Sequence, residues 1–115
     1  MFYIKGLIKA CTYSLDGLKE GFQNHKHFRL ATALTLILSP VAIFIGDNQT
    51  DRAFLLFVLL LIPIFELVNS ALEITINRIG LEQNPLSKKA KDLASAAVSL
   101  SIVNAAVVWS LLIFG

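Results

Sequence analysis

The sequence predicts an all-α integral membrane protein, in which an N-terminal amphipathic surface helix precedes three transmembrane helices. Hydrophobic residues make up 56% of the 115 residues and charged residues only 16%, whereas soluble domains carry about 25% charged residues. Three long segments are almost free of charge, and the segment before them is apolar along one face only. A chain of this length suffices for one compact unit, so we expect a single membrane-embedded domain over residues 1–115.

Residues 3–26 form the predicted surface helix. Its apolar residues recur every three or four positions and therefore share one helical face, while the lysines and acids lie mostly away from that face. The apolar positions are Ile4, Ile8, Cys11, Leu15, Leu18 and Phe22. Lysines combined with bulky apolar side chains are typical of a helix lying in the membrane interface. The alternative is a helix packed on the core of its own chain.

Three apolar segments follow, and each is predicted to cross the membrane. The first contains Pro40, and the second is apolar up to Phe65 and contains Pro63. The third has no charged residue over 93–114, a stretch whose helical length of ~33 Å exceeds the hydrocarbon thickness of ~30 Å. Turn-forming residues separate the segments, and Ser87 is a possible cap of the last helix. The predicted spans are about 29–46, 52–79 and 90–114.

The distribution of charge predicts the orientation. Lysines and arginines concentrate in the N-terminal segment and over 78–91, whereas the first loop has only Arg52 beside two aspartates. The positive-inside rule therefore places the N-terminus and the second loop in the cytoplasm and the C-terminus outside. The net charge of +2 is too small to indicate a nucleic-acid partner. The single cysteine, Cys11, excludes a disulfide within the chain.

A polar stripe lies in the second half of the middle span. Its members recur at steps of three or four residues and therefore share one helical face. They are Glu66, Asn69, Ser70, Glu73 and Asn77. Counted from Arg52 as the outer boundary, Glu66 lies ~21 Å along the helix and Glu73 ~31 Å. We therefore expect Glu66 in apolar surroundings and Glu73 near cytoplasmic water, and an ionisable group at membrane depth indicates a functional site.

Two carboxylates in such different surroundings suit a reaction between a lipid headgroup and a water-soluble anion. A partly desolvated Glu66 suits a general base, and Glu73, nearer water, suits a magnesium ligand shared with substrate phosphates. Phosphoryl transfer needs mainly positioning and charge neutralisation, which the basic residues of the second loop would supply. The alternative is structural, since polar side chains such as Asn69 also join helices by hydrogen bonds. However, two ionisable acids on one helix face inside the membrane cost more free energy than joining helices would justify.

These residues resemble a known family. One segment closely resembles the signature of the prokaryotic diacylglycerol kinases. It is Glu66-Leu67-Val68-Asn69-Ser70-Ala71-Leu72-Glu73, followed by Asn77-Arg78. The family's second characteristic stretch is similar to Lys91-Asp92-Leu93-Ala94-Ser95-Ala96-Ala97. Its N-terminal part is similar to Tyr13-Ser14, Gly17-Leu18 and Phe28-Arg29. The resemblance covers nearly the whole chain.

The resemblance implies a homotrimeric inner-membrane enzyme that uses magnesium to transfer the terminal phosphate of ATP to a lipid hydroxyl. By position it implies Glu66 as the general base, with Asn69 beside it in the site, and Glu73 as a metal ligand. Positions that match nucleotide contacts are Tyr13, Glu73, Glu82, Gln83, Asn84, Lys91 and Asp92. Positions that match lipid contacts are Arg29, Arg52, Glu66 and Ser95. Diacylglycerol, giving phosphatidate, is the leading acceptor, and undecaprenol is the alternative.

Two positions depart from the family pattern. His25 stands where the family usually has a glutamate that helps hold the metal, and an imidazole is a poorer magnesium ligand than a carboxylate. Asn77 stands where an acid usually follows the second glutamate. Both changes remove negative charge from the implied metal site, and Glu20 is a possible replacement acid. A non-catalytic membrane scaffold is therefore the alternative from a different functional class.

Overall fold

Four α-helices make up the computed structural model, which describes residues 2–115, with side chains from Tyr3 onwards. Helix α1 spans Phe2–Asn24, α2 Lys26–Ile45, α3 Gln49–Ile79 and α4 Pro85–Phe114. Residues 2–115 contain no strand, which confirms the predicted all-α class. Helix α3 is central, since it packs against both α2 and α4, while α1 contacts α2.

Helices α2, α3 and α4 are each long and apolar enough to cross a membrane, which confirms the three predicted transmembrane helices. The 20 residues of α2 rise ~30 Å, close to the thickness of the hydrocarbon core. The 31 and 30 residues of α3 and α4 rise roughly 45 Å. Both helices are therefore longer than the ~30 Å needed to cross the hydrocarbon core.

The helices begin earlier than the apolar runs suggest. Helices α2, α3 and α4 start at Lys26, Gln49 and Pro85, ahead of the predicted starts at 29, 52 and 90. The predicted ranges followed hydrophobicity, whereas backbone hydrogen bonding continues through polar residues until a capping group ends it.

Asn84, not Ser87, caps α4. The Asn84 side-chain oxygen accepts hydrogen bonds from the amides of Leu86 and Ser87, at 2.8 and 3.4 Å. Pro85 occupies the first turn, where a missing N–H leaves no helical bond unmade. The expectation that Ser87 caps this helix is therefore wrong, because the proline allows the helix to begin upstream of it.

A buried cluster of small and apolar side chains joins the three spans. Its members are Ala31, Val58, Ile62 and Ala105. Alanine side chains permit close approach of helix backbones, which is how helices associate in lipid. Trp109 packs against this cluster, and its indole Nε1 donates to the carbonyl of Leu55 at 3.2 Å. This hydrogen bond ties α4 to α3.

Pro63 lies inside α3 and is compensated by α2. Proline has no N–H, so the carbonyl four residues earlier, that of Leu59, has no helical donor. The hydroxyl of Thr35 on α2 lies 3.3 Å from this carbonyl and 2.9 Å from the carbonyl of Ala31 in its own helix. In lipid no water is available for the freed carbonyl, so a side chain from a neighbouring helix must supply the hydrogen bond. Thr35 thereby contacts α3 at Leu59, two turns before Glu66.

The apolar stripe of α1 is uncovered. Ile4, Ile8 and Leu15 are each at least 60% exposed, and Gly21 is the one buried residue over positions 3–24. An uncovered apolar stripe at the end of a membrane-spanning bundle fits a helix that lies in the interface. From Ile4 to Leu15 the stripe therefore does not pack on the core of its own chain, whereas Phe22 at its end packs against Phe28 of α2, with the ring centroids 4.9 Å apart.

We expect Thr35→Val to lower the free energy of unfolding by about 1 kcal/mol, the size of an interhelical hydrogen bond in lipid. The reason is that the Leu59 carbonyl loses its donor. Pro63→Ala restores a backbone N–H to that carbonyl, so Thr35→Val is expected to have a smaller effect in a Pro63→Ala background. Reversible unfolding in mixed detergent micelles measures all four proteins. An equal effect of Thr35→Val in both backgrounds would contradict this account.

Candidate functional site

The polar stripe of α3 changes from buried to exposed along its length. Glu66 is 8% exposed and Ser70 9%, Asn69 is half-buried, and Glu73 and Asn77 are exposed. These eleven steps of helix correspond to ~16 Å. The two carboxylates therefore lie in different surroundings, Glu66 within the packed part of the chain and Glu73 outside it.

Glu66 has no hydrogen-bond partner within residues 3–115. His27, on the first turn of α2, and Glu73 are the titratable side chains close enough to act on it electrostatically. Its carboxyl oxygens nevertheless reach the surface of the single chain, because Thr32 Oγ1 is the one fully enclosed side-chain polar atom without a partner within the described residues. An ionisable group in a predicted membrane span, largely buried yet accessible at its oxygens, indicates a functional role rather than a packing role.

A cavity of about 640 Å³ lies where α3 and α4 are connected. It is bordered by the end of α3, by residues 80–85 and by the first two turns of α4. Five of the residues predicted to contact a nucleotide line this cavity. They are Glu82, Gln83, Asn84, Lys91 and Asp92. Tyr13 and Glu73, the other two predicted contacts, are not part of its lining. Tyr13 is exposed on α1.

Lys91 is held over this cavity by Asn77. The Lys91 ammonium donates to the Asn77 side-chain oxygen at 3.2 Å across the α3–α4 connection. Because the acceptor is a neutral amide, the contact orients the lysine without cancelling its charge. Lys88 and Asp92, one turn apart on α4, pair at 2.6 Å at the same cavity. Sequence reasoning missed Asn77 as a cavity residue, although its position one turn after Glu73 was a signal.

A second groove, of about 470 Å³, separates α1 from α3. Glu20 and His25 line it on one side and Leu67 and Ser70 on the other. Glu20 accepts hydrogen bonds from Asn24 and from the His25 ring, both at 2.8 Å. These bonds, that from Asn24 first, hold the pKa of the Glu20 carboxyl below its ordinary value, so Glu20 is anionic at neutral pH.

The three remaining predicted lipid contacts are dispersed. Arg29 donates to the carbonyls of Phe22 and Gln23 at 3.1 and 3.2 Å, where it caps the end of α1. Arg52 lies at the other end of α3, ~21 Å from Glu66 by helical rise. Its guanidinium donates to the carbonyl of Ile43 at 2.9 Å and to the side chain of Gln49 at 3.0 Å. Ser95 is exposed on α4. One chain therefore does not gather these residues around Glu66.

Comparisons with known proteins find relatives over nearly the whole chain. A model of the family described as prokaryotic diacylglycerol kinase matches residues 12–113. The chain is 38% identical over 112 residues to a diacylglycerol kinase of Pseudomonas aeruginosa, covering 97% of this chain and 91% of the relative. It is 38% identical over 108 residues to a diacylglycerol kinase of Haemophilus influenzae, covering 94% of this chain and 92% of the relative. It is 35% identical over 108 residues to a diacylglycerol kinase of Escherichia coli, covering 94% of this chain and 88% of the relative. With its three spanning helices and bacterial relatives, the chain is a bacterial membrane protein.

We expect Lys91→Met to weaken binding of a non-hydrolysable ATP analogue on the order of tenfold, because a charge-assisted hydrogen bond to phosphate is lost. Lys89→Met is the matched control, since Lys89 lies on the same helix but does not line the cavity. Isothermal titration calorimetry on the detergent-solubilised protein measures both. Equal weakening by the two substitutions would indicate a diffuse electrostatic effect and contradict a site at Lys91.

Proposed function

This chain belongs to the prokaryotic diacylglycerol kinase family, and from that premise we propose that it transfers the γ-phosphate of ATP to the hydroxyl of diacylglycerol, giving phosphatidate. The observation that carries the proposal is the polar stripe of α3, with the unpaired and buried Glu66 at one end and the exposed Glu73 toward the other. A lipid hydroxyl would approach such a stripe from the membrane, at the Glu66 end, and a water-soluble nucleotide would approach from the aqueous side, at the Glu73 end.

The names of the relatives support diacylglycerol as the phosphate acceptor. The curated relatives over most of the chain are named diacylglycerol kinases, and undecaprenol therefore becomes the second acceptor to test. The scaffold alternative rested on His25 and Asn77. Asn77 keeps a role in the proposed site, since it orients Lys91, and this contact favours a working nucleotide site over a lost one.

Glu66 is the proposed general base. Its carboxylate accepts the proton of the lipid hydroxyl while the hydroxyl oxygen bonds to the γ-phosphorus and the bond to the bridging oxygen of ADP breaks. Burial suits this role, because a carboxylate without hydrogen-bond partners retains its capacity to accept a proton. Asn69, one turn away and half-buried, is proposed to orient the reacting groups.

Glu73 is the proposed magnesium ligand. Magnesium is usually bound by one or two carboxylates together with substrate phosphates, and Glu73 offers an exposed carboxylate with no partner among the side chains of residues 3–115. Within those residues no three acidic, histidine or cysteine side chains form a metal cage. The donor set therefore fits a metal that arrives with the nucleotide. Bound magnesium would neutralise charge on the phosphates.

The nucleotide is proposed to occupy the cavity at the α3–α4 connection. Lys91 would contact phosphate oxygens, and Glu82, Gln83, Asn84 and Asp92 supply polar groups for the base and ribose. Tyr13, on the exposed surface of α1, would reach the nucleotide from outside the cavity. The cavity volume of about 640 Å³ is within the usual range for small-molecule sites.

The assembly and orientation follow the family resemblance and the charge pattern. We propose a homotrimer in the inner membrane, with the N-terminus and the α3–α4 connection in the cytoplasm and the C-terminus outside. ATP is then available on the side where Glu73 and Lys91 lie. Arg29, Arg52 and Ser95 are proposed lipid contacts. Because one chain disperses them, a lipid that touches all three would have to lie along the outer surface of the helices.

We expect Glu66→Gln to lower phosphate transfer from radiolabelled ATP to diacylglycerol by about 10²–10⁴-fold, the usual contribution of a general base. The amide has nearly the same shape but cannot accept the proton. Asp16→Asn, an exposed acid on α1, is the control and should transfer phosphate at the wild-type rate.

Two outcomes would overturn parts of the proposal. Undiminished transfer by Glu66→Gln would refute the base assignment. No transfer by the wild-type protein with magnesium or manganese, to either diacylglycerol or undecaprenol, would refute the kinase assignment and favour the scaffold alternative.

A further inference from the structure

A backbone carbonyl near the middle of α2 has lost its helical donor. Pro40 lies inside this helix, and because proline has no N–H, the carbonyl four residues earlier, that of Leu36, loses its usual hydrogen bond. The equivalent carbonyl of α3, that of Leu59, lies 3.3 Å from the hydroxyl of Thr35. No side chain of residues 3–115 donates to the Leu36 carbonyl. Leu36 and Pro40 are both exposed, so this carbonyl lies at the outer surface of the chain.

Asn104 is an amide without a partner in the middle of α4. It is exposed, and its side chain makes no hydrogen bond within residues 3–115. The hydroxyls of Ser101 and Ser110, by contrast, donate to carbonyls of α4 itself at 2.6 and 2.7 Å. Asn104 lies roughly 15 Å from each end of the charge-free run over 93–114, at a depth where lipid offers neither donors nor acceptors. An unsatisfied amide is costly there, so a protein group is required as its partner.

Asn104 belongs to an apolar seam of α4 that the rest of the chain leaves uncovered. The members of the seam recur alternately at four and three residues, the spacing by which neighbouring helices pack at a small crossing angle. They are Leu93, Ala97, Leu100, Asn104, Val107 and Leu111. Its three leucines and its valine are each more than half exposed. The first four members each precede a buried residue of α4 by one position, so the seam lies ~100° around the helix from the buried face.

The carbonyl on α2 and the amide on α4 lie at similar depth. Trp109 donates to the carbonyl of Leu55, and the Thr35 hydroxyl lies near the carbonyl of Leu59, one turn further along α3. Asn104 comes five residues before Trp109, ~7.5 Å nearer to the α3–α4 connection, and the α2 carbonyl belongs to the residue directly after Thr35. The two groups are therefore within about one helical turn of each other in depth.

We propose that the seam of α4 packs on α2 of a second copy of this chain, where the Asn104 amide donates to the Leu36 carbonyl. A second copy fits because it carries the missing acceptor, and copies inserted in one orientation hold the two groups at the same depth. The donor and the acceptor lie on different surfaces of the chain, so the contact is head-to-tail and can close into a ring. The inference rests on the assembly of copies in the proposed function, but not on phosphate transfer.

Cysteine cross-linking tests which helices meet. Asn104→Cys and Leu36→Cys, each in a Cys11→Ser background, are co-expressed as chains with different tags and oxidised in the membrane with copper phenanthroline. We expect a disulfide between the two variants and none when either variant is expressed alone. Ser110→Cys is the control for Asn104→Cys, since Ser110 is exposed on the same helix but lies outside the seam and should not cross-link to Leu36→Cys.

A double-mutant cycle tests the hydrogen bond itself. Asn104→Leu is expected to raise the dissociation constant between copies on the order of tenfold, because an interhelical hydrogen bond is lost. Pro40→Ala returns a helical donor to the Leu36 carbonyl, so Asn104→Leu should have little effect in that background. Ser110→Ala should leave the dissociation constant unchanged. Energy transfer between labelled copies, followed as detergent dilutes the protein, measures all variants.

Three results would overturn the contact. They are an unchanged dissociation constant in Asn104→Leu, an equal effect of Asn104→Leu in both backgrounds, and cross-linking of Asn104→Cys to itself rather than to Leu36→Cys. If the wild-type copies still associate, these results leave the proposed assembly and kinase function standing. A monomeric wild-type protein refutes both the contact and the assembly, while the transfer of labelled phosphate still decides the kinase function.

Discussion

Glu66 is a carboxylate buried in a membrane protein without a hydrogen-bond partner over residues 3–115, and this costly arrangement determines how the remainder of the structure can be understood. Its carboxyl oxygens still reach the surface of the chain, because Thr32 Oγ1 is the one fully enclosed side-chain polar atom without a partner within the described residues. His27 is close enough to act on the acid electrostatically. The helices around it are tied together at other points. The single hydroxyl hydrogen of Thr35 is shared between the Ala31 carbonyl of its own helix and the Leu59 carbonyl that Pro63 leaves free. Trp109 donates to the carbonyl of Leu55. Backbone carbonyls in the first half of α3 are thus satisfied by side chains of neighbouring helices, whereas Glu66 further along has no hydrogen-bond partner within the described residues.

Helix α3 connects this buried acid with the aqueous phase. Its 31 residues exceed the length needed to span the hydrocarbon core, and the excess carries Glu73 and Asn77 outside the packed bundle. There the α3–α4 connection forms a cavity in which Asn77 orients Lys91. A single long helix therefore carries the buried Glu66 and, eleven residues further on, Asn77, which orients Lys91 of α4. No large soluble domain is required, because phosphoryl transfer depends mainly on position and charge.

Features that depend on local sequence could be predicted, and features that depend on the alignment of separate helices could not. The four helices follow from apolar periodicity and charge-free runs, and the contrast between Glu66 and Glu73 follows from counting helical rise. Lys91 and Asn77 are 14 residues apart and Thr35 and Leu59 are 24 apart, so their contacts depend on the register of neighbouring helices. The N-terminal cap of α4 could not be predicted for a different reason. Pro85 permits the helix to begin earlier than the apolar pattern indicates.

The central claim, that the stripe runs from lipid depth to cytoplasmic water, is tested most directly by cysteine accessibility along α3. Single cysteines replace Glu66, Glu73 or Asn77 in a Cys11→Ser background, and a membrane-impermeant maleimide is applied to each face of sealed vesicles. We expect labelling at positions 73 and 77 from the cytoplasmic face only and protection at position 66. Labelling of position 66 as readily as of position 73, or labelling of position 73 from the exterior, would contradict the account.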